Sequence, residues 1–375
     1  MKKLSVFIVL LLFSCNYFYN HIEISGSVPN VNDGDILIKD LAAKVVFGSP
    51  VRSGKFHITK QALKTSGYYT LFIPNSLDSF EIYLEPGKYQ IDAKRTKSNA
   101  YPNIVSSSKI QNELTAYYTL ADSLFFLVRE EERKLINQMN SKAVVLMPDQ
   151  QYDTLIEQVK VAQVKNSEAS ITAIDQYLNR FPNSEVVAHL ISNMNYENNP
   201  VKFYKLYQKF SSNAKNSKEG VEIGKLLSVL VKLQVGALAP AIIGKTPDNK
   251  MINVKSLNKK LIIIDFWRAS LMSSRKNHQD FVNNLMPNFQ DKGVGIISVS
   301  LDTKADWWTT AIKDDKMTWP QVSDLQGFDS PNVTNWGIKT IPLYYILDGS
   351  GRIIERGIQH PQIQATIQHY LNNQQ

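Results

Sequence analysis

The sequence predicts a multidomain chain of three successive parts: an N-terminal antiparallel β-sandwich, a helical middle segment and a C-terminal α/β domain. Three observations carry this reading. Short, alternating apolar stretches broken by glycine fill residues 21–97, apolar residues spaced three and four apart take over across 106–238, and from 239 to 375 continuous apolar runs alternate with helical pattern. A chain of 375 residues, 43% apolar and 10% aromatic, has the material for two or three buried cores.

In the first part, "IEISGSV", "GDILIKDL", "GKFHIT", "GYYTLFIP" and "FEIYLEPGKYQIDA" each read as a strand or a pair of strands. Gly34, Gly54, Gly67 and Gly87 punctuate them, and Pro86-Gly87 predicts a tight turn. The order of "SGSVPN", "LFIP" and "IYLEPGKYQI" is similar to a small β-domain of unknown function that precedes thioredoxin-like domains in many Gram-negative lipoproteins. In the second part, "QNELTAYYTLADSLFFLVREEERKLINQM" has helical period with its charges on a solvated face, and Pro148, Pro182 and Pro200 predict breaks between helices. "FPNSE" has no second copy at a fixed period, so the segment reads as a helical connector.

The opening "MKKLSVFIVLLLFSC" places two lysines before an apolar run too short to cross a bilayer, the order of a secretory signal. "LFSC" resembles the lipobox of bacterial lipoproteins, which implies residues 1–14 as a signal peptide, Cys15 as the lipidated residue and a membrane held through that lipid, in the cell envelope. Cys15 is the sole cysteine, so lipidation leaves no free thiol and no disulfide. Loss of Lys2 and Lys3 with the leader takes the net charge from +8 to +6, spread thinly apart from runs such as "KRTK" at 94–97, and no nucleic-acid partner is expected. The six histidines form no spaced pair, so neither a metal nor another cofactor is expected.

In the third part, "KLIIIDFW" and "VGIISVS" read as strands buried on both faces, with a helix from about Ser273 after the first and "KADWWTTAIKDD" after the second. "PLYYILD", a turn at "DGSG", "RIIERGI" and an amphipathic "PQIQATIQHYL" complete the order. Together with "APAIIGKTPDNKMINVKSLNKKLIIIDFW", "DKGVGIISVSLD", "TWPQVSDLQGFDSP" and "WGIKTIPLYYILDGSGRII", this order resembles the TlpA/ResA-type thiol-disulfide oxidoreductases, thioredoxin-like proteins related to AhpC/TSA peroxiredoxins.

That family carries Cys-x-x-Cys in the turn after its first strand of this domain, and a gapless match on Asp265, Phe266, Trp267, Arg275 and Lys276 puts Leu271 and Ser274 on the two cysteine positions. Exchange needs one thiolate to attack and a second thiol to resolve, so the family's catalysis does not carry over and no catalytic residue is expected. The resemblance further implies a cis bond at Ile341-Pro342, whose backbone can pair with an extended peptide, and a structural role for Asp265. Two functions follow from different classes. One is peptide or protein binding through Trp267, Arg268, Ser273, Arg275, Ile341 and Pro342, with Trp319 bordering the groove and Ser273 or Ser274 capping the helix. The other is an enzyme with Ser273 or Ser274 as nucleophile and His278 as its base.

Overall fold

In the computed structural model the described residues are 20–29, 31–74, 79–94, 100–141 and 147–373. The signal segment 1–14, Cys15 and most of the "KRTK" run lie outside them. The chain divides into two compact units, residues 1–131 with 172–186, and residues 132–171 with 187–375. The helical middle is therefore not one connector: its parts are shared between the two.

Among the described residues the first unit holds eight strands: β1 (His21–Ser27), β2 (Asp35–Lys39), β3 (Val45–Pro50), β4 (Lys55–Ala62), β5 (Gly67–Phe72), β6 (Ser79–Leu84), β7 (Gly87–Asp92) and β8 (Asn103–Ser106). They form two four-stranded sheets, ordered β4-β1-β7-β8 and β3-β2-β5-β6. Alternate residues of β1 are buried, among them Ile22 and Ile24, as the period-two pattern requires. All pairings are antiparallel except β1 with β7, which runs parallel. Strand β8 pairs with β7, so the β-domain extends beyond residue 97. It was missed because "NIVS" is too short to show a period. Apolar side chains of both sheets, including Ile38, Leu71, Ile82 and Ile91, make one core.

Helix α1 (Lys109–Met139) starts against this core. Ser108 accepts from the N–H of Gln111, and the buried Gln111 amide accepts from the Tyr83 N–H and donates to Thr115. Further along, the Asp122 carboxylate accepts from the N–H groups of Ala100 and Tyr101 and pairs with Arg129. Helix α2 (Asp149–Arg180) follows Pro148 and stops before Pro182.

Short helices α3 (Val186–Ser192), whose first residue closes the first unit, α4 (Pro200–Gln208), α5 (Ser212–Asn216) and α6 (Lys218–Leu230) follow in the second unit. Pro200 occupies the first turn of α4, where its missing N–H has no intrahelical partner to lose. Close packing on α6 is set by glycine: a Cβ on Gly220 would stand 1.9 Å from the Ala214 carbonyl oxygen.

The C-terminal sheet has the order β11-β10-β9-β12-β13. Its elements run β9 (Leu261–Trp267), α7 (Met272–Asp280), α8 (Met286–Phe289), β10 (Val294–Ser300), α9 (Ala305–Asp314), β11 (Gln321–Ser323), α10 (Pro331–Asn335), β12 (Leu343–Asp348), β13 (Ile353–Ile358) and α11 (His360–Asn373). A π-helical turn, Phe281–Leu285, joins α7 to α8 just ahead of Pro287, which lacks the N–H an α-helix needs there. Strands β9 and β10 pair in parallel and every residue of both is buried, which is why they read as unbroken apolar runs. Strand β12 runs antiparallel to β9 and forms a hairpin with β13. At that turn the Asp348 carboxylate accepts from the N–H groups of Ser350 and Arg352, and Gly351 takes a φ of 83°. These elements and their order make a thioredoxin-like α/β domain.

Candidate functional site

The turn that stands where the sequence resemblance expects two cysteines lies between β9 and α7. The Leu271 N–H donates to the Arg268 carbonyl at 3.1 Å, and the Ala269 N–H donates to the Asp302 carboxylate at 2.9 Å, tying the turn to the end of β10. Leu271 occupies the N-cap of α7 with an extended backbone (φ −95°, ψ 107°) and offers no capping side chain. Ser273 and Ser274 lie inside the first turn of the helix, so neither caps it, contrary to expectation. Ser274 is fully buried and its hydroxyl has no partner among the described residues, while Ser273 is exposed.

Beneath the turn runs a buried polar chain. His278, one turn along α7, faces Asp265 through Nε2 at 2.9 Å and Asp315 through Nδ1 at 3.2 Å. Asp315 also accepts from Arg275 Nε, and the same Asp265 oxygen accepts from the Ser298 hydroxyl at 2.6 Å. Ser298 in turn accepts from Trp319 Nε1 at 2.9 Å. Burial opposes a charge on His278, but the Asp265 carboxylate and the hydrogen bonds to both acids outweigh it and raise its pKa above the ordinary 6.5. Trp267 packs edge-on over the imidazole with ring centres 4.6 Å apart. Asp265 is thus a structural acid, held by an imidazolium and a hydroxyl.

This geometry corrects several expectations. Trp267 is fully buried and Trp319 nearly so; neither borders a groove, because their rings fill the space around His278. Arg275 is bound to Asp315 and also lies within 3.6 Å of Asp314, so it is engaged inside the domain rather than free for a ligand. His278 has both ring nitrogens occupied by carboxylates and cannot act as a base for Ser273 or Ser274, which removes the serine-nucleophile arrangement. Asp315 and Ser298 were absent from the sequence reading. They come from the end of α9 and from β10, and nothing in the local sequence signals that they converge on Asp265.

The remaining candidates do meet. Leu343 pairs with Phe266, so the antiparallel register carries Ile341-Pro342 alongside Trp267 and Arg268. The Ile341-Pro342 bond is cis, as the resemblance implied. The N–H and C=O of Ile341 have no backbone partner among the described residues. Large apolar side chains stand exposed beyond the C-terminal ends of the parallel strands: Met272 (80% exposed) after β9, Trp307 (47%) after β10, and Leu325 and Phe328 (46%) after β11. No cluster of metal-ligating side chains occurs among the described residues.

Residues 235–356 match the sequence model of the AhpC/TSA family. The C-terminal domain belongs to the AhpC/TSA family and is thioredoxin-like. Relatives of this AhpC/TSA-family domain include the thiol-disulfide oxidoreductase ResA of Bacillus thuringiensis subsp. konkukian, 24% identical over 140 residues that cover 37% of this chain and 78% of the relative. ResA of Bacillus anthracis is 24% identical over 125 residues, 33% of this chain and 70% of the relative. Among solved structures, the thioredoxin domain of a thiol-disulfide oxidoreductase from Bacteroides vulgatus is 26% identical, with 37% of this chain and 99% of that one covered and a TM-score of 0.35. A thiol:disulfide interchange protein from Bacteroides sp. is 28% identical over 38% of this chain and 92% of that one, with a TM-score of 0.34. Against these relatives the AhpC/TSA-family domain here contains no cysteine at all, since the chain's one cysteine is Cys15.

Proposed function

We propose that the protein is a lipid-anchored component of the cell envelope whose thioredoxin-like domain binds an extended polypeptide and does not exchange disulfides. The observation that carries this is the combination at the C-terminal end of β9: a turn with Leu271 and Ser274 in place of sulfur, beside an Ile341 backbone with no backbone partner among the described residues and a rim of exposed apolar side chains. An extended segment can pair with the free N–H and C=O of Ile341 through main-chain hydrogen bonds, while apolar side chains such as Met272 contact alternate residues. Exchange requires a thiolate nucleophile, and none is available in the domain.

The experiment pairs two assays on purified protein. Reduction of a disulfide-bonded protein substrate with excess dithiothreitol is expected to stay at the uncatalysed rate. A blocked, extended apolar peptide is expected to bind, with Met272→Asp weakening it about tenfold, since a charge would then sit where apolar contact is made. Catalysed reduction, or peptide binding indifferent to Met272→Asp, refutes the reading. Anchoring through Cys15 is tested separately: the Cys15→Ser protein is expected to leave the detergent phase that retains the parent.

A further inference from the structure

We propose that the start of α7 is a carboxylate-binding site, and that the polypeptide engaged at this edge presents a carboxylate there. The inference rests on the binding role argued above and adds the chemistry of the ligand. Three N–H groups, of Met272, Ser273 and Ser274, open α7 without an acceptor among the described residues, because Leu271 at the N-cap has no side-chain oxygen to offer. Such amides, with the positive end of a nine-residue helix behind them, suit an anion.

Two further observations point to a ligand rather than to a merely hydrated helix end. Ser274 is fully buried, yet its hydroxyl has no partner among the described residues, and side chains on a helix slant back toward its N-terminus, the side on which this turn lies. Arg268, on the other side of the turn, makes no ion pair with any described carboxylate, and its Nε atom is buried without an acceptor. A free cation, a buried unpaired hydroxyl and three free amides thus surround one four-residue turn.

Behind the turn, Asp265 faces the His278 imidazolium, and one Asp302 oxygen accepts from the Ala269 N–H and from the Ser300 hydroxyl, while the other oxygen of each carboxylate is buried with no partner among the described residues. Arg268 forms an ion pair with neither, so its charge is open to an incoming carboxylate. Exposed Met272 and the Ile341-Pro342 edge flank the position, so the fitting ligand is an acidic group within an otherwise apolar extended segment.

The test measures binding of three extended apolar peptides of one length to the purified protein: one with a central Glu and both ends blocked, the same with Gln, and the Gln peptide with a free C-terminal carboxylate. A carboxylate peptide is expected to bind about tenfold tighter than the blocked Gln peptide, with the amide resonances of Met272, Ser273 and Ser274 shifting. Whether the Glu or the free C-terminus gives the gain identifies the source of the carboxylate.

Arg268→Gln is expected to abolish most of the preference. Met272→Pro is compared with Met272→Ala: proline suits the first helical position after an extended residue and removes one N–H, so it should reduce the preference several-fold beyond alanine. Equal binding of all three peptides, with sensitivity to Met272→Asp retained, overturns the carboxylate site and leaves the binding role standing. A preference that survives both Arg268→Gln and Met272→Pro overturns the location. No binding by any peptide overturns both proposals.

Discussion

Replacing His278 by Gln tests the claim that buried charge holds the C-terminal domain together beneath the turn. His278 and Asp265 are both completely buried, and Asp315 is 5% exposed. Removing the imidazolium leaves Asp265 with neutral hydrogen-bond donors only, the Ser298 hydroxyl among them, while Asp315 keeps Arg275. Breaking a buried ion pair from one side costs about 3–5 kcal/mol, because the remaining charge is left desolvated and uncompensated. The compensated path is Asp265→Asn together with His278→Gln, which removes both charges and should recover roughly half of that loss.

All five tryptophans lie between Trp267 and Trp336, so their fluorescence during urea unfolding reports this domain. The pH dependence has a defined sign. The pKa of His278 is raised in the folded state, so its stabilisation is complete below the ordinary value of 6.5 and disappears as pH rises through the folded value. The parent domain should therefore lose stability on the alkaline side of 6.5 by an increment that the Gln variant lacks. A loss under 1 kcal/mol in the single variant, or an identical pH slope in both proteins, refutes the reasoning.

Three other perturbations follow from the same structure. Gly220→Ala drives a methyl group to 1.9 Å from the Ala214 carbonyl oxygen, whereas Gly224→Ala meets the Tyr207 ring; the first should destabilise more, by about 2–4 kcal/mol, since backbone yields less readily than a side chain, and thermal unfolding measures the order. Asp122→Ala removes the acceptor for the Ala100 and Tyr101 N–H groups and should cost the β-domain about 2–4 kcal/mol, read by circular dichroism during unfolding. The double variant Leu271→Cys with Ser274→Cys sets two sulfurs three residues apart across the N-cap of α7, and is expected to close into an intramolecular disulfide on oxidation, detected as a loss of two hydrogens by mass.

The architecture was legible because each part carries a pattern with a physical cause. Strands β9 and β10 are buried on both faces and so read as unbroken apolar text, while β1 alternates because one face meets the core. Pro200 marks a helix start because the first turn tolerates a missing N–H, and Pro148 immediately precedes α2. The parallel pairing of β1 with β7 was not legible, since a period of two is the same in either direction.

At the turn, the sequence by itself determined what chemistry is absent: no sulfur stands at Leu271 or Ser274, and no conformation can supply one. Only the tertiary structure decided what the neighbouring groups do. It turned Trp267 and Trp319 inward, engaged Arg275 with Asp315, and joined Asp265, His278 and Asp315 from β9, α7 and the end of α9. The reason is that hydrogen bonds and ion pairs depend on distances of about 3 Å between atoms, and residues 13 to 40 positions apart on different elements come that close only once the sheet and its helices have packed.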